Sequence, residues 1–402
     1  MNTMKKKKYN VLDLFAGCGG LSNGFELTGK FNIVSANEFC DAASDTYEKN
    51  HPDTNMIRGD VTDNQIKEQI YNTFKNIECD VIIGGPPCQA YSNAGFRDPD
   101  DPRGRLFRDY VEIVDHLKPK LFVMENVKGL LTIKHEKSYL TKNEKKELDL
   151  LRILEKEKQE LLLLRKRFKN NPVVFKFEKK DEDRISVLSK EIVEHKKCHP
   201  SLHESVIDQI IKSYNEIGYK VQFKLLNAAN YGVPQRRERL IFIGVKEDLN
   251  VRYPEPTHSK YGDSLFGPQK WITVRQSIDD LKCQEENVAW NHILTKHSIS
   301  FVEKLKNTPI GESAFGFSDA FHRNDPDTAS RTVKENHGGV LVHYDFNRVM
   351  TPRELARLQS FSDDFIFEGT KSQILVQIGN AVPPLLGKAI GEVVFEILNE
   401  KY

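Results

Sequence analysis

The apolar positions of the chain fall first into short, continuous runs. Val11-Leu12-Asp13-Leu14-Phe15, Ile33-Val34-Ser35-Ala36, Met56-Ile57-Arg58-Gly59-Asp60, Cys79-Asp80-Val81-Ile82-Ile83 and Leu121-Phe122-Val123-Met124 are each bounded by polar or glycine-rich stretches. Apolar runs this short read as strands buried on both faces. Between them the spacing turns helical, from Leu21 to Leu27 after the turn Gly17 to Gly20, after Asn37-Glu38, and from Tyr110 to Leu117. Strands alternating with helices predict an α/β fold with a doubly wound, mostly parallel sheet.

From about 131 to 205 Lys and Glu dominate. Leu recurs at 150, 151, 154, 161 and 164, Asn170-Asn171-Pro172 interrupts, and a second helical pattern runs through Ile185, Leu188 and Ile192. This predicts an inserted helical hairpin with solvated faces; a coiled-coil arm is the alternative, with few heptads to support it. The sheet pattern resumes with an amphipathic helix over Val206 to Ile217 and strands over Tyr219 to Leu226 and Leu240 to Val245. Between 247 and 345 the periodicity weakens while Pro, Gly, His and Asn become frequent, as in a smaller, loop-rich domain. Helical pattern returns at Pro352 to Leu358 and after Pro383-Pro384, where proline suits a first turn. The expected division is 1–246 with the insert, 247–345, and 346–402 returning to complete the large domain.

Composition narrows the function classes. The net charge of the 402 residues is +1, so a nucleic-acid surface would have to be a local patch. Six scattered cysteines without a Cys-x-x-Cys pair argue against a disulfide framework and fit a reducing cytoplasm. The apolar run after Lys5 to Lys8 is broken at Asp13, which excludes a secretory segment or membrane span there. His195, Cys198, His199 and His203 have zinc-like types and spacing, but they lie in the charged insert without a second cysteine pair, and no metal site is expected.

Gly17-Cys18-Gly19-Gly20 lies between strand and helix with Glu38 about twenty residues on, as in a dinucleotide fingerprint, but Ser22 replaces the third glycine. Asp13 would repel a pyrophosphate and could instead neutralise an ammonium. Glu38 could accept ribose hydroxyls and Asp60 an adenine amino group. These acids suit S-adenosylmethionine better than NAD, though Asp13 and Asp60 would also serve as ordinary turn residues. Cys88 follows Val81-Ile82-Ile83 through Gly84-Gly85-Pro86-Pro87, a stiff turn that would hold a thiol at the carboxyl edge of the sheet, where such folds keep their ligands. It is a candidate nucleophile, or else an inert core cysteine. Glu125 ends another strand and should face the same crevice, unless it caps the following helix. Arg237 and Arg239, two apart in an extended segment, point to one side and can converge on one anionic or carbonyl-bearing ligand, unless both are solvated.

Asp13-Leu14-Phe15-Ala16-Gly17-Cys18-Gly19-Gly20, Pro86-Pro87-Cys88-Gln89, Glu125-Asn126-Val127, Gln235-x-Arg237-x-Arg239, Arg353-Glu354-x-x-Arg357-Leu358-Gln359 and Gly379-Asn380-Ala381-Val382-Pro383-Pro384 resemble, in order, the signature blocks of DNA cytosine-5 methyltransferases. The resemblance covers nearly the whole chain apart from the insert and the variable region. It implies a Rossmann-like methyltransferase fold. It also implies that Cys88 adds to carbon 6 of a flipped-out cytosine, Glu125 serves nitrogen 3, and Arg239, helped by Arg237, holds the ring carbonyl. The implied cofactor set is Asp13, Phe15, Gly17, Gly19, Leu21, Glu38, Asp60, Pro86, Leu106, Asn380 and Val382, with Phe15 stacking on adenine. Gln89, Ser92 and Gln235 are expected to meet DNA, on a loop from Gln89 to Arg103 and beside the arginines. Thr332, Val333, Gly338 and Gly339 are expected to do so within a target recognition domain at 247–345. The implied setting is a cytoplasmic enzyme, monomeric on double-stranded DNA, in a bacterial restriction-modification system with a cognate endonuclease.

Overall fold

The computed structural model describes residues 8–87, 102–136, 140–246, 249–262, 267–315, 321–335 and 340–401. Strand and helix alternate through β1 (Tyr9–Leu14), α1 (Gly20–Glu26), β2 (Phe31–Glu38), α2 (Asp41–Asn50), β3 (Asn55–Arg58), α3 (Asn64–Thr73), β4 (Val81–Gly84), α4 (Pro102–Leu117) and β5 (Leu121–Val127). After an insert come α7 (Val206–Glu216), β8 (Tyr219–Asn227) and β9 (Glu238–Lys246), the insert itself holding β6 (Lys134–Glu136), α5 (Lys142–Asn170), α6 (Lys179–Cys198) and β7 (His203–Ser205).

The sheet order is β3-β2-β1-β4-β5-β9-β8. Strands β1 to β5 pair in parallel, and β9 alone runs against its neighbours. The doubly wound, mostly parallel sheet is therefore as the apolar runs predict. Val11, Leu12, Val81, Ile82, Ile83 and Leu121 to Met124 are fully buried, as helices on both faces require. The reversal of β9 has a consequence for chemistry: its amino-terminal end lies beside the carboxyl end of β5, with Val127 opposite Arg239.

Residues 131–210 form a compact unit of their own. Thr141 and Glu144 make a capping box that starts α5, and α6 returns against it with Leu148, Leu151, Ile185, Leu188 and Ile192 buried in the seam. Leu150 is exposed; leucines two or more turns apart along α5 can share a face, but adjacent ones cannot.

The chain from 267 onward contains α8 (Val274–Ile278), α9 (Ile299–Lys306), α10 (Pro352–Leu358), α11 (Lys371–Asn380) and α12 (Pro384–Asn399). Val274, Ile278, Leu341 and Tyr344 share a core with Leu355, Phe361 and Ile378, so packing does not break at 345. α12 joins the sheet's core, where Ile390 and Val394 meet Phe25 and Phe31. Gly24 and Gly387 let α12 approach α1 closely: a Cβ on Gly24 would stand 2.6 Å from the Gly387 backbone. Irregular backbone leaves carbonyls without ladder partners, and Arg353, fully buried, donates to those of Trp290 (3.0 Å), Ser362 (3.0 Å) and Phe365 (2.9 Å). Among the described residues no helix is long and apolar enough to cross a membrane.

Candidate active site

Of the described residues singled out from the sequence, Phe15, Gly17, Glu38, Pro86 and Glu125 lie at one edge of the sheet, because the parallel strands β1, β2, β4 and β5 end there. Beyond β1 the backbone turns sharply through Phe15 (φ 56°), Gly17 (φ 56°) and Gly19 (φ 91°). A left-handed conformation is unremarkable for glycine but strained for a bulky residue, and such strain marks functional turns. The Phe15 ring lies parallel to that of Tyr110, 6.5 Å away, and Tyr110 is fixed by donating to the Val123 carbonyl at 3.1 Å. At the end of β2, Glu38 accepts the N–H of Gly17 on one oxygen and of Cys40 on the other, both at 2.8 Å. The carboxylate is thereby held while keeping lone pairs free for ligand hydroxyls. Asp60, after β3, accepts from the Thr62 N–H at 2.9 Å and is exposed. Val382 comes back to the same turn, where a Cβ on Gly20 would meet its carbonyl at 2.3 Å, and Asn380, two residues before it, is exposed.

Beside this turn lies the second group. Pro86 is buried after β4, and its carbonyl accepts from Asn126 Nδ2 at 3.1 Å. Glu125, in β5, pairs through Oε1 with Arg239 Nε at 2.7 Å, and both side chains are largely buried. Glu125 and Arg239 are diagonal neighbours on one face of the β5–β9 ladder, so the antiparallel register puts them in reach. The other carboxylate oxygen faces Gly85, where a Cβ would come within 2.9 Å of it. Glycine at 85 thus lets the turn leading to Cys88 lie against the carboxylate. Cys88, Gln89 and Ser92 themselves, like Gly338 and Gly339, lie outside the described residues.

Several expected ligand contacts are turned inward instead. Arg237 does not converge with Arg239: it is fully buried and donates to the carbonyls of Val333 (2.9 Å) and Gly379 (2.8 Å). Burial and the neighbouring Arg239 cation hold its pKa well below the usual arginine value. Gln235 is not at a DNA surface. Its amide donates to Leu358 and Gln359 and its carbonyl accepts from the Val333 N–H at 2.8 Å. The Val333 side chain is buried too, and the Leu21 side chain belongs to the sheet's core. Asp13 is 1% exposed. It accepts from Ser22 Oγ at 2.6 Å, and Ser22 accepts from Tyr47 at 2.7 Å. Ser22, noticed in the sequence as a missing glycine, is the donor that anchors the turn from within; only its position two residues past the glycines hinted at this.

Burial pushes the Asp13 carboxyl up to about 8, with Glu38 adding to the rise and the Ser22 hydrogen bond opposing it. In the unfolded chain it titrates near 3.8. The folded form therefore binds the extra proton between these values, and this group costs stability progressively as pH rises from about 4 to about 8, with no further change above. Urea midpoints measured across that window should fall less steeply for Asp13→Asn than for the unsubstituted protein. Equal slopes would show that Asp13 is already ionised.

A family model described as C-5 cytosine-specific DNA methylase matches residues 9–150 and 190–396. The chain belongs to that family. Its activity is that of a DNA cytosine-5 methyltransferase, and double-stranded DNA is the substrate. The methylase is 32% identical over 405 residues to the type II methyltransferase M1.HphI of Haemophilus parahaemolyticus, covering 96% of this chain and 86% of the relative. It is 31% identical over 417 residues to M.NgoFVII of Neisseria gonorrhoeae, covering 98% and 88%. Among solved structures it resembles in fold a DNA modification methyltransferase encoded within an Escherichia coli prophage (TM-score 0.64, 24% identity, covering 98% of this chain and all of the other). It also resembles in fold Dnmt2 of Schizosaccharomyces pombe (TM-score 0.57, 15% identity, covering 98% and 99%).

In this methylase a cleft of about 450 Å³ opens beside the Glu125–Arg239 pair, lined by Val127, Lys128, Gly129, Asn227, Arg236, Glu238, Arg239 and Thr332. Lys128 and Glu238 bridge its rim at 2.8 Å. The Thr332 hydroxyl donates to the Arg236 carbonyl at 2.8 Å, so Thr332, unlike Val333, stays at the cleft. Asn126 stands in the sequence as part of the Glu125-Asn126-Val127 block, with no role of its own assigned there. It carried no signal beyond its neighbourhood, because its partner Pro86 comes from a different strand end.

Proposed function

We propose that this methylase transfers a methyl group from S-adenosylmethionine to carbon 5 of a cytosine within a specific duplex sequence, as the modification enzyme of a bacterial type II restriction-modification system. The observation that carries the reading is Glu125, paired with Arg239 and packed on the Gly85-Pro86 turn that leads into Cys88. Carbon 5 of cytosine is a weak nucleophile. Addition of the Cys88 thiolate to carbon 6 moves an electron pair toward carbon 5, provided nitrogen 3 receives a proton or a strong hydrogen bond, and Glu125 is the group positioned to give it. Arg239 holds the ring carbonyl, while Arg237 supports the site from behind. Carbon 5 then takes the methyl group, loses its proton, and the thiolate is expelled with return of the ring's aromaticity. Attack over the ring face requires a base taken out of the stack.

The donor set at the first turn suits the cofactor: a half-exposed Phe15 ring for adenine, the anchored Glu38 for ribose hydroxyls, and exposed Asp60 for the adenine amino group, with Gly17, Gly19, Pro86, Leu106, Asn380 and Val382 around them. When bound, S-adenosylmethionine supplies an electrophilic methyl. Asp13 acts on that site only through the turn it anchors. Residues 247–345, with Thr332, Gly338 and Gly339, read the target sequence. The protein works in the cytoplasm as a monomer on DNA, beside an endonuclease that cuts the same site.

Incubation with plasmid DNA and S-adenosylmethionine, followed by bisulfite sequencing, should show 5-methylcytosine at one recurring sequence. Methylation scattered without sequence preference, or none, would defeat the reading.

A further inference from the structure

The root of the inserted hairpin brings together three side chains of metal-binding type. His195 in the last turn of α6 and His199, the residue that caps its carboxyl end, stand four residues apart with ring centroids 4.7 Å apart. Glu147, in the second turn of α5, crosses the seam and places Oε2 3.1 Å from His195 Nε2 and 3.6 Å from His199 Nε2. One ligand atom from each residue lies within 4.8 Å of the other two. An ordinary ion pair would need only one imidazole, yet both rings aim at the same carboxylate oxygen.

A tetrahedral zinc ion with bonds of roughly 2.0–2.2 Å to nitrogen and oxygen keeps its ligand atoms roughly 3.3–3.5 Å apart. Two of the three separations already straddle that value. The His195 side chain is 11% exposed, whereas Glu147 and His199 are 40% and 39% exposed, so the cluster has one buried wall and one open side. His195 Nε2 is the ring nitrogen turned to the cluster, and its Nδ1 is buried without a partner among the described residues. We propose that Glu147, His195 and His199 form a zinc site that clamps α5 to α6, with a water molecule as fourth ligand. Two imidazoles and one carboxylate suit zinc and its transition-metal neighbours rather than magnesium or calcium, which take oxygen ligands.

This departs from the expectation for the insert. The sequence grouped Cys198 and His203 with the two histidines, but the third member of the cluster is Glu147, 48 residues before His195 and on the facing helix. Cys198 is exposed and is not part of the cluster. The family model skips residues 151–189, the outer part of the hairpin, whereas Glu147, His195 and His199 lie within the spans it matches.

The test is calorimetric titration of the metal-stripped full chain with zinc chloride. The unsubstituted protein should bind one more equivalent than His199→Ala, and Glu147→Gln should weaken that equivalent at least tenfold; magnesium chloride should give no saturable binding. His199 is half exposed, and far-UV circular dichroism of the variant should match the unsubstituted protein. Cobalt bound at the same site should lack thiolate charge-transfer bands, because no cysteine takes part. Equal zinc stoichiometry and affinity in His199→Ala, no binding at all by the unsubstituted protein, or thiolate bands with cobalt would each overturn the proposal.

Discussion

Glu125→Gln should lower the single-turnover rate of methyl transfer roughly 100- to 10,000-fold, the range over which a positioned acid or base contributes. Glutamine keeps the shape of the side chain and can still accept from Arg239 Nε, so the β5–β9 register and the turn at Gly85 should survive. It cannot hand a proton to nitrogen 3, and its amide is a poorer match for the Arg239 cation. Affinity for DNA should change little, because the interaction removed is one made at the reacting ring rather than along the phosphates. Rapid-quench measurement with saturating DNA isolates the chemical step. A rate within threefold of the unsubstituted enzyme would remove Glu125 from the chemistry.

The second large effect is on stability. Arg237→Met should cost roughly 2–4 kcal/mol, because two buried carbonyls, of Val333 and Gly379, lose charge-assisted donors and no water can reach them. Methionine fills much of the arginine's volume, so the loss reports on hydrogen bonding more than on a cavity. The urea midpoint should fall while the slope of the transition stays constant. A variant as stable as the parent would mean that the buried guanidinium is no more than tolerated, its desolvation cost cancelling its hydrogen bonds.

Arg237 also shows where sequence reasoning stopped. Two arginines spaced by two in an extended segment were expected to reach one ligand, and that geometry holds for a regular strand. Arg237 precedes β9, and its acceptors come from residues 96 and 142 positions further along the chain. Gln235 was misread for the same reason: Val333, Leu358 and Gln359 satisfy its amide, and none of these contacts leaves a local pattern. Buried polar side chains are legible only once their partners are known. The sheet was legible because its information is local, being runs such as Val81-Ile82-Ile83 that must be covered on both faces. The Glu125–Arg239 pair lay between these cases. Each residue could be placed near a strand end, but only the reversal of β9 explains why one lies toward the carboxyl end of its strand and the other near the start of its own. Packing of the irregular stretch from 267 to 345 depends on anchors that come from elsewhere in the chain, such as Arg353 of α10, which donates to Trp290 within that stretch and to Ser362 and Phe365 in the connection after α10.

The central claim is that the turn after β4, closed by Asn126 on Pro86 and faced by Glu125, presents Cys88 to carbon 6 of a cytosine. Its most direct test uses a duplex that the enzyme methylates, with the target cytosine replaced by 5-fluorocytosine, in the presence of S-adenosylmethionine. Fluorine cannot leave as a proton, so the thiolate cannot be expelled. A protein–DNA adduct that survives denaturing electrophoresis should accumulate with the unsubstituted enzyme and vanish with Cys88→Ser. An adduct that persists in Cys88→Ser, or none from an enzyme that still methylates the unfluorinated duplex, would contradict the account.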